Sequence, residues 1–176
     1  LWEKGHLEEV VKMMHLYPND KVYVTSYEYS DGRPMFKHER DTNIFKINNY
    51  FKEAQKESLI CTIIITVHKS CIDKVGGFTE KLNRGEDLDL WTRLAREYDI
   101  VKSSKVTAMY RIEDGNSLSK GKSKYYQSIL STISLKGKTR DERKYYKRML
   151  LRRVKTDIKH LDIIEFSKII AKHNIE

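Results

Sequence analysis

The residues best able to do chemistry fall in one short stretch, Gly85-Glu86-Asp87-Leu88-Asp89, where three carboxylates occupy four positions. An ionised carboxylate can take a proton from a hydroxyl, orient hydroxyls by accepting hydrogen bonds, or support a cation. Asp87 is the first candidate for a proton acceptor and Glu86 the second; Asp89 would support the local backbone or a neighbouring cation. Acids in such a place also do ordinary work. In the first turn of a helix they cap orphan N–H groups and oppose the positive end of the helix dipole.

The element that must position them is a helix. Leu88, Trp91, Leu94, Ala95 and Tyr98 form one apolar stripe, so the acids open an amphipathic segment over 86–98. Trp91 belongs to that stripe, which favours core packing over a sugar-stacking platform. Arg93 lies seven residues beyond Glu86 on about the same face, where an internal ion pair and a ligand contact are both open. Arg111 divides in the same way between a diphosphate and a structural partner. Upstream, Gly76 and Gly77 permit a tight turn and close backbone approach.

Around this centre the pattern alternates. Residues 5–17 read as a helix on Leu7, Val10, Val11, Met14 and Leu16, stopped by Pro18; residues 21–29 read as a strand rich in β-branched and aromatic types. Residues 35–57 have no clear period, which suggests a short helix or a loop. Residues 59–67 (LICTIIITV) form the strongest strand signal, apolar on both faces as in a sheet interior. Short strands are expected at 100–101 and 106–111, then a polar loop over 116–119. The sum is an α/β domain over 1–119. From 120 the pattern turns wholly helical and basic (KTRDERKYYKRMLLRRVK), which sets 120–176 apart as a C-terminal extension.

Composition bounds the rest. With 34 Lys and Arg against 25 Asp and Glu, the chain carries a net charge of +9 and is drawn to anions. The two cysteines, Cys61 and Cys71, have no CxxC spacing, and the six histidines are scattered without metal-ligand spacing. No signal-peptide pattern opens the sequence and no apolar run approaches the roughly 18 residues of a membrane span, so a reduced cytoplasmic setting is expected. The basic segment suits a solvated face, an anionic membrane at its inner surface, or a partner helix, including one from a second copy. Nucleic-acid binding rests on charge and on tyrosines among lysines alone, without a recognised motif.

Read in order, Val75-Gly76-Gly77-Phe78, then Gly85-Glu86-Asp87 with Leu88, Asp89, Leu90, Trp91 and Arg93, then Tyr110-Arg111, resemble the second half of the catalytic domain of inverting family 2 glycosyltransferases of the GT-A fold. Leu1-Trp2 and the following helix are similar to the residues after that family's metal-binding aspartates. The resemblance implies a partial GT-A, nucleotide-diphospho-sugar-transferase-like mixed sheet with flanking helices, followed by the helical segment. It further implies transfer of a sugar from a nucleotide-sugar to a glycan or glycolipid hydroxyl, as in bacterial surface polysaccharide synthesis, with a divalent cation (Mg or Mn). On this reading Asp87 is the base, assisted by Glu86. Gly77, Asp89, Trp91, Arg93 and Arg111 line the substrate, and the nucleotide-binding half lies outside these residues. Where the family often carries a cation-holding His after Tyr-Arg, this chain has Ile112, Glu113 and Asp114, which makes Glu113 and Asp114 the metal candidates. The alternative is a non-catalytic interaction or nucleic-acid-binding fragment.

Overall fold

A computed structural model describes residues 1–33, 43–112 and 124–173. Four strands make one mixed sheet in the order β2-β4-β1-β3: β1 Val22–Tyr29, β2 Ile44–Ile47, β3 Ile65–Val67 and β4 Ile100–Tyr110. The central strands β1 and β4 run parallel, and β2 and β3 flank them antiparallel. The chain is therefore α/β with a mixed sheet. Six α-helices accompany the sheet among the described residues: α1 His6–Leu16, α2 Tyr50–Glu53, α3 Lys69–Val75, α4 Glu86–Glu97, α5 Arg140–Lys159 and α6 Ile163–His173.

β4 is one strand where two short ones were expected. The ladder with β1 is offset between Val24↔Lys102 and Ser26↔Val106, so β4 carries extra residues there. Ser26 Oγ donates to the Ser103 carbonyl at 2.9 Å, and Ser103 Oγ accepts from the Lys105 N–H at 3.2 Å, which satisfies the bulge. The polar Ser103-Ser104-Lys105 stretch interrupts the apolar pattern without ending the strand.

The segment 59–67 departs further from expectation. Only Ile65–Val67 is a strand; it lies at the sheet edge and is half-buried. Leu59, Ile60 and Ile64 are buried in the core without strand pairing, with Ile64 accepting from the Thr25 N–H at 3.1 Å. An apolar run reports burial, and here irregular chain supplies it. The unassigned region before it yields β2 and the single turn α2, capped by Asn49 Oδ1 on the Lys52 N–H at 3.0 Å.

Helix α1 sits where expected but is rotated about its axis. Val10 and Met13 are buried, while Leu7, Val11, Met14 and Leu16 are exposed, because His6 and Glu9 face the sheet instead. His6 Nδ1 pairs with Thr107 Oγ1 at 2.8 Å, Thr107 Oγ1 donates to Thr25 Oγ1 at 2.8 Å, and Ser103 Oγ donates to Glu9 at 2.6 Å. A buried polar network of this kind sets helix orientation against the apolar pattern.

The helices after 124 share the main core. Tyr145, Tyr146, Leu150, Val154 and Ile169 belong to the same buried cluster as Val22, Phe51, Leu94 and Ile100. Thr139 caps α5 in a box with Glu142, and Glu142 also accepts from Arg96 Nε at 2.8 Å, which ties α5 to α4. The described part of 120–176 is built into the core rather than appended to it.

Candidate functional site

The start of α4 is set by Gly85. Its φ of +75° is left-handed, and an added Cβ would lie 2.7 Å from Ile129 Cγ2, so only glycine fits both the backbone and the space. On either side the chain is pinned to a second segment: Asn83 N–H donates to the Gln127 carbonyl at 3.0 Å and Ile129 N–H to the Arg84 carbonyl at 3.0 Å. Helix α4 then enters the core through Leu90, Trp91 and Leu94. These contacts fix where Glu86 and Asp87 emerge.

Asp87 is half-buried. Its Oδ1 accepts from the Leu88 N–H at 2.7 Å. Burial raises its pKa above the ordinary aspartate value; the Leu88 N–H opposes the rise and the adjacent Glu86 charge adds to it, with Arg84 acting downward. The Asp87 charge in turn acts on three neighbours already raised chiefly by their own burial: Tyr50, Tyr145, which reaches about 12, and the Cys61 thiol. Tyr145 joins α5 to α2, its ring tilted against Tyr50 at 6.1 Å and edge to face with Phe51 at 5.7 Å. Glu86 is half-buried beside it.

Cys61 contributes to the raised pKa of Tyr27, which burial dominates, and Tyr27 forms an aromatic group with Tyr29 and Tyr110 at ring separations of 5.4 and 6.0 Å. Tyr29 and Tyr110 are paired residues at the carboxyl ends of the parallel strands. In open α/β sheets ligands bind outside those ends. Tyr110 is exposed and offers a ring for stacking, while the half-buried Tyr29 ring carries the Arg33 guanidinium 5.0 Å from its centre. Sequence reasoning missed this cluster. Tyr27, Tyr29 and Tyr110 were each visible in the sequence, but nothing local showed that strands some eighty positions apart would bring them together.

Four other expected residues have internal roles. Arg93 Nε and Nη2 donate to Asp89 Oδ2 at 3.1 and 3.0 Å, and its Nη atoms donate to the carbonyls of Val75, Gly76 and Gly77 at 2.5, 2.9 and 2.7 Å. Thr79 Oγ1 also donates to Asp89 Oδ2 at 2.8 Å. Asp89, Arg93 and the Gly76-Gly77 turn are a clamp that fastens the end of α3 to α4; Gly77 serves it through its carbonyl. Trp91 is 2% exposed and packs edge to face on Phe78 at 6.3 Å, which makes it core. Of the two readings open for Arg93, the geometry gives the ion pair.

Arg111 is exposed immediately after β4, next to Tyr110 in the chain. Glu113 and Asp114 lie outside the described residues. Among the described residues no three His, Cys, Asp or Glu side chains converge as metal ligands. Both cysteines are free thiols. Among the described residues no helix is long and apolar enough to cross a membrane. Comparison with protein families, with curated proteins and with solved structures finds no match to the chain.

Proposed function

We propose that this chain forms the acceptor side of an inverting sugar transferase with a GT-A-like catalytic domain, and that Asp87 is its base. The single observation that carries the reading is the setting of Asp87. It is a half-buried carboxylate of raised pKa at a helix start that Gly85 fixes against Ile129. Raised basicity is the property a proton acceptor for a sugar hydroxyl needs.

In the reaction Asp87 takes the hydroxyl proton while that oxygen bonds to the anomeric carbon on the face opposite the nucleotide. The bond from that carbon to the diphosphate oxygen breaks, and its electron pair leaves with the nucleoside diphosphate. Glu86 orients the acceptor by accepting a second hydroxyl hydrogen bond. Tyr110 supplies a face against which a pyranose ring packs, with Tyr29 beside it. Arg111, exposed at the end of β4, is proposed as a cation for the leaving diphosphate, and Glu113 and Asp114 as ligands of a divalent cation. Asp89, Arg93 and Gly77 act at one remove by holding the turn against α4.

The test is acceptor binding mapped by amide and side-chain chemical shifts over a panel of oligosaccharides. The reading expects the largest changes at Glu86, Asp87, Tyr29 and Tyr110. Changes confined to other surfaces, or none with any glycan, would refute it.

A further inference from the structure

The outer face of α5 carries one sign of charge. Arg143, Lys144, Lys147, Arg148, Arg152 and Lys155 are exposed along it. The helix's acids are turned inward or already paired: Asp141 accepts from Asn49 at 2.8 Å, Glu142 is buried against Arg96, and Asp157 is buried against Arg153 at 2.7 Å. The next acid, Asp162, caps α6 through the Glu165 N–H at 3.3 Å, and Glu165 is held by Lys168 at 2.7 Å and Arg153 at 3.6 Å. Segregation of this kind leaves an uncompensated positive surface.

Aliphatic side chains interrupt that surface and crown its end. Leu151 lies among the cations in a groove of about 520 Å³ lined also by Lys147, Arg148 and Lys155. At the α5–α6 corner Ile158, Leu161, Ile163 and Ile164 are 57, 82, 73 and 69% exposed. Leu161 is also the one non-glycine residue with positive φ among the described residues, at +54°. A helix end with that backbone ordinarily takes Gly or Asn, because a Cβ is disfavoured there. Neither packing nor backbone geometry accounts for a leucine at this position.

We propose that the α5–α6 corner docks on an anionic lipid bilayer, Leu161, Ile163 and Ile164 entering the boundary between headgroups and acyl chains while the α5 cations face the lipid phosphates. The combination is what an interfacial helix needs, apolar burial together with electrostatic attraction. A nucleic acid would engage the same cations but has no use for a knuckle of four exposed aliphatic residues. The inference does not depend on the sugar-transfer reading, since no atom of the Asp87 site takes part.

The experiment is flotation of the 176-residue chain with phosphatidylglycerol–phosphatidylcholine vesicles and with phosphatidylcholine vesicles alone. Wild type should float with the anionic vesicles and not with the neutral ones. Each cation near the surface strengthens binding about fivefold, so the triple variant Lys147→Gln, Arg148→Gln, Lys155→Gln should bind roughly 100-fold more weakly. Leu161→Gly relieves the backbone and so keeps the fold, yet should weaken binding about tenfold by losing a buried side chain. The proposal is overturned if wild type ignores anionic vesicles, or if either variant binds them as wild type does. Binding of a DNA duplex without vesicle binding would overturn it in favour of a nucleic acid. A dimer that Leu161→Gly dissociates, again without vesicle binding, would overturn it in favour of a second copy.

Discussion

Gly85 offers a direct check on how the start of α4 is held. Replacing it by Ala sets two costs against the fold. A Cβ at φ +75° costs roughly 1–2 kcal/mol in backbone energy. Its placement 2.7 Å from Ile129 Cγ2 and 3.2 Å from Ile129 Cβ adds an overpacking cost of about 1–3 kcal/mol, because Ile129 is itself buried. The sum, about 2–5 kcal/mol, corresponds to a fall in Tm of roughly 4–20 °C for a chain of this size. Gly137 provides the control: its φ is +73°, but nothing lies within 4 Å of the added Cβ, so Gly137→Ala should carry the backbone cost alone. Circular-dichroism melts and urea titrations of both variants measure the difference. Ile129→Leu removes the Cγ2 methyl, and in that background Gly85→Ala should cost less than in wild type. Equal destabilisation by Gly85→Ala and Gly137→Ala would refute the argument that Ile129 and Gly85 are fitted to each other, and with it the claim that this contact sets the position of Asp87.

Three further outcomes are expected. Arg93→Lys keeps the charge but loses the planar fork that reaches three carbonyls and Asp89, so it should destabilise by roughly 1–2 kcal/mol in urea titration; a neutral result would mean the clamp is unimportant. Lys102 donates to the Thr25 carbonyl at 3.1 Å, and burial lowers its pKa to about 8 despite the opposing charge of Glu57. Between about pH 8 and 10.5 the unfolded chain therefore holds a proton that the native chain has lost, so Lys102 makes stability rise with pH across that window, and Lys102→Met should flatten the rise. Unchanged pH dependence would show that burial does not lower the Lys102 pKa in the native chain. Leu161→Gly should raise stability by about 1 kcal/mol, read from the same melts, since it removes a left-handed leucine whose side chain is 82% exposed; a loss of stability would show that Leu161 packs against the fold.

What was legible in the sequence was local. The α4 helix declared itself because Leu88, Trp91 and Leu94 repeat at helical spacing, and its first-turn acids followed from that. The core role of Trp91 was legible for the same reason. The ion pair of Arg93 was open beside a ligand contact, because the deciding carbonyls of residues 75–77 belong to another element. Burial misled twice. The apolar run 59–67 is buried as irregular chain, and the apolar stripe of α1 is turned outward because His6 and Glu9 find Thr107 and Ser103 on β4. The neighbours of Asp87 were beyond reach, since Tyr50, Cys61 and Tyr145 come from three separated segments that only the assembled sheet and helices bring together.

The most direct test of the central claim is release of nucleoside diphosphate from a panel of nucleotide-sugars, with Mn²⁺ and mixed glycan acceptors, by the protein that carries this sequence and by its Asp87→Asn variant. The account predicts acceptor-dependent release by wild type, falling as pH drops through the raised Asp87 pKa because the base becomes protonated, and a loss of about 10²–10⁴-fold in the variant with its melting curve preserved. Release by folded Asp87→Asn within a few-fold of wild type would contradict the account.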